Sequence, residues 1–448
     1  MSGADADAPS SDQPRACRDA LRRRRLLLLR EQRDAAIARA IRAPLADVLR
    51  DHALVHLPPS AAARLRLVHP SWARALSSPL FAVAHAAAPR RASGLFVSPP
   101  PSSSASGFLL PLDVADTVPS PTLAFLPSSS APTMLSSSHG VACCFSATDD
   151  AYFVCNPATG SWVGVPCPPC RIKWPRPAIV VVFDAGVYNF GGDFTLVCAF
   201  EPSAPGGSSG IYCFAVFTSV SGAWWVAEAV ALAEGLIPAT GVAAGGVAWW
   251  RTAIGTAVGY DPVTGRVQLV MCPGDSAQWE IGSAAGTLHC AVRTGDDEVM
   301  VFRLHRHDGW EVTAAVSIAE ILDRPWQPRP AYDSDSDEEA AHRAEQDHTG
   351  SMAIAAAAAV RPRGFWMARD EVRLLPFQAA EVEVVVLDGR RVVAFDAVTR
   401  RRREAVLPDE PAGTDWGAAA YVAHTNTLAM VAPVVLMEPQ EDQEGVAS

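Results

Sequence analysis

Ten cysteines, eleven histidines and a few adjacent acid pairs are the residues that could do chemistry in this chain of 448 residues. Cys167-Pro168-Pro169-Cys170 has the spacing of half a zinc site or of a redox dithiol. A structural zinc needs four ligands, normally two such pairs at set spacing. His139 and Cys155 are near in sequence, but no second pair accompanies them. His305-Arg306-His307-Asp308 puts two imidazoles at i, i+2, which is one face of a strand, yet the run reads as a hairpin tip. Asp149-Asp150 and Asp296-Asp297 read as turn residues rather than as a general acid/base pair. No nucleophile elbow, P-loop, zincin motif or dinucleotide fingerprint occurs. The expectation is a chain with no catalytic residue, no metal and no cofactor, whose work is positioning.

The elements that would do the positioning are of two kinds. Residues 44–85 hold apolar side chains at helical spacing: Leu45, Val48 and Leu49, then Leu65 and Val68, then Trp72. Pro58-Pro59-Ser60 should break one helix and start the next, with Ser60 as N-cap. Three short helices packed into a platform are expected. Residues 98–106 and 127–138 are Pro/Ser-rich and read as loops. From residue 139 onward, short β-prone runs alternate with Gly, Pro, Asn and Asp.

Those runs repeat. Tyr152-Phe153-Val154-Cys155-Asn156-Pro157-Ala158-Thr159-Gly160 runs on to Trp162; Ala257–Val267 and Val392–Arg401 are further copies, around Asp261-Pro262 and Asp396-Ala397. Looser copies begin at Ile211 and Val299 and run on to Trp224 and Trp310. In the three closer copies a strand leads into an Asn/Asp-anchored turn and the next strand follows. Gly-led apolar strands start at Gly140, Gly245, Gly286 and Gly364. The hairpins start at 152, 211, 257, 299 and 392, in steps of 59, 46, 42 and 93, the last close to two units. A period in the forties suits a four-stranded propeller blade. Six or seven blades are expected between 95 and 437.

Charge separates the two parts. Residues 1–91 carry 16 Arg against 8 Asp/Glu, while the whole chain has net charge −11, so the body is acidic. An acidic body excludes nucleic acid as a natural partner; the basic head suits an acidic protein partner. No apolar run reaches the length of a membrane span, and Leu26-Leu27-Leu28-Leu29 is too short for a signal segment. A reducing compartment, with most cysteines as small buried hydrophobes, is the natural reading. Residues 1–18 and 438–448 are expected to be disordered, and 19–42 to form a basic helix. Arg22-Arg23-Arg24-Arg25 reads first as a solvated helix face and second as a nuclear-localisation patch. The acidic run 333–339 reads as part of a disordered insert over 331–350, with Ser334 and Ser336 each three residues before an acid, as acidophilic kinases require. In Trp224-Trp225 and Trp249-Trp250, neighbours on a strand face opposite ways, so Trp225 and Trp249 are candidate partner-binding residues.

With these residues in view, 44–85 resembles an F-box, in the version found in plant proteins that carry a C-terminal F-box-associated β-propeller. The resemblance rests on Asp47-Val48-Leu49, Ala53-Leu54, Leu57-Pro58, Arg64-Leu65-Arg66, Val68, Trp72 and Ser77-Ser78-Pro79-Leu80-Phe81. Downstream it rests on Ser93-Gly94-Leu95-Phe96, Ser138-His139-Gly140, Val154-Cys155-Asn156-Pro157-Ala158-Thr159 and Leu196-Val197-Cys198-Ala199-Phe200. It implies a multidomain α + all-β chain: a short three-helix F-box, then a six- or seven-bladed, kelch-like β-propeller. It implies a non-catalytic substrate receptor of an SCF-type ubiquitin ligase, cytoplasmic and/or nuclear. The F-box would dock on a Skp-type adaptor and through it a cullin, and the propeller would hold a protein substrate of unknown identity. By position, the resemblance assigns Leu45, Leu49, Leu54, Leu57, Pro58, Leu65, Val68 and Trp72 to the F-box core and adaptor face. Three positions depart from the pattern: Pro44-Leu45 reverses the usual Leu-Pro, His69 follows Val68, and Pro70 is tolerable only at the first position of the third helix. A propeller scaffold with a degenerate F-box, and a propeller enzyme, are the alternatives.

Overall fold

The computed structural model describes residues 49–100, 103, 105–170, 176–186, 188–202, 210–274, 278–295, 297–305, 309–323, 372–409 and 414–434. The expectations for 1–18, 19–42, Leu45, Gly364, 331–350 and 438–448 lie outside the described residues. The chain divides into two units, Met1–Val55 and His56–Ser448. The described part of the first is a turn of π-helix, Leu49–Ala53, and the start of a 3-10 turn, Leu54–His56, whose last residue belongs to the second. The α-helix expected there is therefore replaced, over its described residues, by irregular helical turns.

The second unit opens with three helices, α1 (Pro59–Leu65), α2 (Pro70–Leu76) and α3 (Pro79–Ala87), each begun by a proline in its first turn. Proline's fixed φ and missing N–H cost nothing there. Pro70 opens α2, the helix that carries Trp72. His69 and Ser78 cap α2 and α3, accepting from the Ser71 and Phe81 N–H groups, both at 3.2 Å. Ser60 is not the N-cap of α1: Pro58 is, and Pro59 occupies the first turn.

Strands follow in radial sheets. Blade 1 has β1 (Gly94–Ser98) and β2 (Phe108–Pro111). Blade 2 is β3 (Thr133–Ser138), β4 (Val141–Ser146), β5 (Ala151–Asn156) and β6 (Ser161–Val165). Blade 3 is β7 (Ala178–Phe183), β8 (Phe194–Phe200), β9 (Ile211–Thr218) and β10 (Ala223–Leu232). Blade 4 is β11 (Val242–Ala244), β12 (Val247–Arg251), β13 (Thr256–Asp261) and β14 (Arg266–Met271). Blade 5 is β15 (Trp279–Ala284), β16 (Thr287–Thr294), β17 (Glu298–His305) and β18 (Gly309–Ser317), followed by helix α4 (Ile318–Leu322). Blade 6 is β19 (Arg373–Leu375), β20 (Phe377–Ala379), β21 (Glu383–Asp388), β22 (Arg391–Asp396) and β23 (Arg402–Val406). Last, β24 (Ala420–His424) pairs antiparallel with β1 and completes blade 1.

The inner strands β24, β3, β7, β11, β15 and β20 lie against one another in that order and return to β24, so the ring closes at six blades. The expected seventh is excluded by where the 93-residue step falls. It spans one blade boundary, between β17 and β22, and absorbs the stretch 324–371 outside the described residues. All five expected hairpins are the third and fourth strands of blades 2–6. Their turns at Asn156, Asp261 and Asp396 close by a hydrogen bond from the N–H of residue 160, 265 or 400 back to the Asx carbonyl, each 2.9 Å long.

The seam between blades 5 and 6 uses a proline. Pro376 divides the inner strand of blade 6, so β19 pairs with its own blade while β20 crosses to pair in parallel with β15. Opposite Phe377 stands Gly282, where a Cβ would lie 2.5 Å from the Phe377 carbonyl oxygen and 2.6 Å from its ring. Gly282→Val is expected to cost about 3 kcal/mol through overpacking. A lower urea midpoint at unchanged m-value measures it; parental stability would refute the tight seam.

Thr133–Ser138 is a correction. The Pro/Ser-rich loop expected over 127–138 becomes, in its second half, the innermost strand of blade 2. Its serines are buried because they bond across blades: Ser136 Oγ accepts the Val181 N–H at 2.8 Å, and Ser137 meets His424 Nδ1 at 2.8 Å. Near the axis, where inner strands crowd, small polar side chains with inter-blade partners replace large apolar ones.

Candidate functional site

Three surfaces stand out, and the helices come first. Burial of Ala62, Leu76 and Phe81 packs α1–α3, and the Arg66 guanidinium ties α1 to α2 by donating to the Leu76 carbonyl at 2.9 Å. Outside that packing, Leu67 is 88% exposed, Val68 69% and Leu80 68%. Of the expected adaptor residues in this unit, Leu57, Pro58, Leu65 and Trp72 are half-buried and Val68 is exposed. In the first unit Leu49 is exposed and Leu54 half-buried. Leu45 lies outside the described residues. Leu67 and Leu80 are the additions that the structure makes to the expected apolar face.

His85 anchors this helical segment to the propeller. It is fully buried; its Nδ1 accepts the Leu428 N–H at 3.2 Å, which leaves Nε2–H to donate to the Leu57 carbonyl at 3.0 Å. Burial first, then the Arg90 guanidinium 2.8 Å from Nε2, lowers its pKa to about 3. The imidazole is therefore neutral and structural.

The second surface is the mouth of the propeller axis, a cavity of about 440 Å³. Two-residue hairpin turns of the inner strands ring it: His139-Gly140, Gly245-Gly246 and Ala285-Gly286, all at positive φ, the I′ geometry. Residues 86–90, at the C-terminal end of α3, form another part of its wall. His139 donates from Nδ1 to the Ala86 carbonyl at 3.2 Å, and burial lowers its pKa. Arg90 and His139 join Ser138, Ser283, Gln378, Thr425 and Thr427 in the polar lining, and no carboxylate or thiol is among the described lining residues.

The third surface is the outer wall. Trp225 on β10 is 43% exposed beside exposed Val226, Val230 and Leu232, so this candidate is on the surface. Trp224 is half-buried and donates from Nε1 to the Pro166 carbonyl at 2.7 Å. Trp249 is a correction: it is 2% exposed, in the core between blades 4 and 5, with its ring over Gly259 on the neighbouring strand. Strand alternation does send Trp249 and Trp250 to opposite faces, but both faces of an inner-blade strand are covered by neighbouring blades. Trp249 is unavailable to a partner.

The discounted chemical motifs separate. Cys167 donates to the Asp150 carbonyl at 3.2 Å, whereas Cys170 hydrogen-bonds Cys198. Asp149 accepts from Ser129, Ser128 and Ser146 and organises a surface loop. Asp297 holds the start of α4 through the Ile318 and Ala319 N–H groups. Asp296 and residues 306–308 lie outside the described residues. Among the described residues no group of three or more His, Cys, Asp or Glu could hold a metal ion, and no helix is long and apolar enough to cross a membrane.

No protein-family model and no curated protein matches the chain. Distant likenesses to solved structures exist. Apo AztD from Citrobacter koseri is 12% identical over 75% of this chain and 90% of that one, with TM-score 0.33. A chain of a nidogen/laminin complex is 9% identical over 75% of this chain and 99% of that one, with TM-score 0.38. The lectin of Aleuria aurantia, described as a six-bladed β-propeller, is 11% identical over 61% and 75%, with TM-score 0.31. The fold described above rests on strand order and register, not on these likenesses.

Proposed function

We propose that this chain is the substrate-recognition subunit of an SCF-type ubiquitin ligase. A few helices followed by a closed six-bladed propeller form an architecture suited to protein interaction. The observation that carries the finer reading is the exposure of Leu67 and Val68, in the turn between α1 and α2, and of Leu80, in the first turn of α3, directly ahead of the propeller. Large apolar side chains left exposed on so short a helical segment are a docking signal. In this reading the helices dock on a Skp-type adaptor and through it a cullin, in the cytoplasm or nucleus. The outer wall around Trp225 contacts the protein target. The chain supplies position rather than chemistry.

Co-purification of the full chain with a Skp-type adaptor tests the reading. Leu67→Asp/Leu80→Asp is expected to lower adaptor affinity at least about tenfold, the effect of losing 1.4 kcal/mol, while leaving the thermal unfolding profile in place because both side chains are exposed. The second reading, a propeller scaffold without a working F-box, is favoured by the π and 3-10 turns over 49–56. A folded parent chain that retains no adaptor would select it.

A further inference from the structure

Six of the nine described cysteines stand in three close pairs, and two of the pairs share one geometry. Cys272, just after β14 at the end of blade 4, has its Sγ 4.0 Å from the Sγ of Cys290 on β16, the second strand of blade 5. Cys170, on the connector leaving β6 of blade 2, hydrogen-bonds Cys198 on β8, the second strand of blade 3. The buried members lie in matching stretches, Leu196-Val197-Cys198-Ala199-Phe200 and Leu288-His289-Cys290-Ala291-Val292. In each pair one thiol is half-buried and its partner is sealed in the core. The third pair, Cys144 and Cys155, lies 3.7 Å apart within blade 2 with both members buried.

Cys272 has the surroundings of a reactive thiol. The Cys290 S–H donating to it, and then the charge of Arg251, hold its pKa below the ordinary value against the burial that opposes them. Arg251 is fixed in place, over the Trp279 ring at 5.6 Å and 3.4 Å from Glu280. A partly accessible thiol of lowered pKa beside a cation, with a second thiol in reach, is the arrangement that oxidants select. Cys167, more exposed, has the opposite bias, because burial and Asp150 push its thiol up.

We propose that Cys272 is a peroxide-reactive thiol and Cys290 its resolving partner, so that oxidation joins blade 4 to blade 5 by a reversible disulfide. In the first step the Cys272 thiolate attacks a peroxide oxygen. The O–O bond breaks, sulfur is oxidised to the sulfenic acid, and hydroxide (or alkoxide, from an organic peroxide) leaves. In the second step the Cys290 sulfur attacks the sulfenic sulfur. The S–S bond forms, the S–O bond breaks, and the departing hydroxide leaves as water with the Cys290 proton. The sulfurs must approach by about 2 Å to reach bonding distance, a movement that falls on Cys272, which follows the last residue of β14, rather than on Cys290 inside β16.

Hydrogen peroxide is the probe, applied to the full-length chain in small excess at pH 7. Peptide mapping is expected to show a 272–290 linked peptide two hydrogens lighter than its thiol parts, lost on dithiothreitol treatment, and no 144–155 link. A Cys290→Ala variant is expected to accumulate a dimedone adduct at Cys272. In the untreated parent, which needs no variant to fold, Cys272 should alkylate at least about tenfold faster than Cys167. Alkylation of Cys272 no faster than Cys167, or peroxide treatment that yields no 272–290 link, would overturn the assignment.

Discussion

Lowering the pH from 7.5 to 5.5 is expected to reduce the unfolding free energy by about 3 kcal/mol, nearly all of it through buried histidines. His85 and His424 are both fully buried, with pKa values lowered to about 3 and about 4. For His85 the causes are burial and then Arg90; for His424 burial acts against an opposing hydrogen bond with Asn426. In the unfolded chain each takes up a proton near pH 6.5, while in the folded chain neither does until well below pH 5. The unfolded state therefore binds more protons throughout this window, and stability falls as pH falls. Each group contributes about 1.4 kcal/mol between these two pH values, and His139, also lowered by burial, acts in the same direction. Glu383 acts oppositely: burial raises its pKa, so its contribution is lost as pH rises. The decisive readout is thus a difference. Urea unfolding of the parent and of His85→Gln at both pH values should show a pH dependence smaller by about 1.4 kcal/mol in the variant. Equal dependence in both proteins would remove His85 from the account.

Asn156→Ala is expected to destabilise the fold by about 3 kcal/mol, against about 1 kcal/mol for Asp261→Ala at the same turn position two blades on. Both residues organise a hairpin turn: Asn156 Oδ1 accepts the Ala158 N–H at 2.9 Å, and Asp261 Oδ1 accepts the Val263 N–H at 2.9 Å. Asn156 does more. It is fully buried, and its amide donates to the Thr427 and Ala429 carbonyls at 3.1 and 2.7 Å. Truncation strands both carbonyls away from water, each at about 1–3 kcal/mol, partly relieved by relaxation. Asp396, the third residue of this kind, accepts from Arg91 at 2.7 Å. The matching turn residues of blades 2 and 6, on either side of blade 1, therefore latch the segment after β24 and the segment before β1. Urea midpoints of the two alanine variants, measured side by side, separate the latch from the turn. Equal losses would mean that the amide bonds to 427 and 429 contribute nothing net.

These turns were legible from the amino-acid order because their signal is local. In blades 2, 4 and 6 an Asx residue at a strand end organises the turn whatever surrounds it, and all five expected hairpins fall at one blade position. The count of blades was not, since 324–371 lengthens one repeat to the span of two. Ser136 and Ser137 were hidden because their partners, Val181 and His424, belong to other blades. Trp249 failed for a similar reason: alternation says which face a side chain takes, not whether a neighbouring blade covers that face. On the helices, Pro59, Pro70 and Pro79 announce three starts, while Leu67 and Leu80 emerge as exposed only once the packing of Ala62, Leu76 and Phe81 is known.

The pairing of β1 with β24 also sets an order of events during synthesis. β1 leaves the ribosome more than 300 residues before its partner β24. Until β24 arrives, Leu95 and Phe96, fully buried in the finished ring, lack the strand that covers one side of them. For a ribosome adding roughly 5–20 residues per second this leaves an open sheet edge for tens of seconds. A chain that ends upstream of β24 cannot close the ring, and its open β1 edge is a template for pairing with another chain.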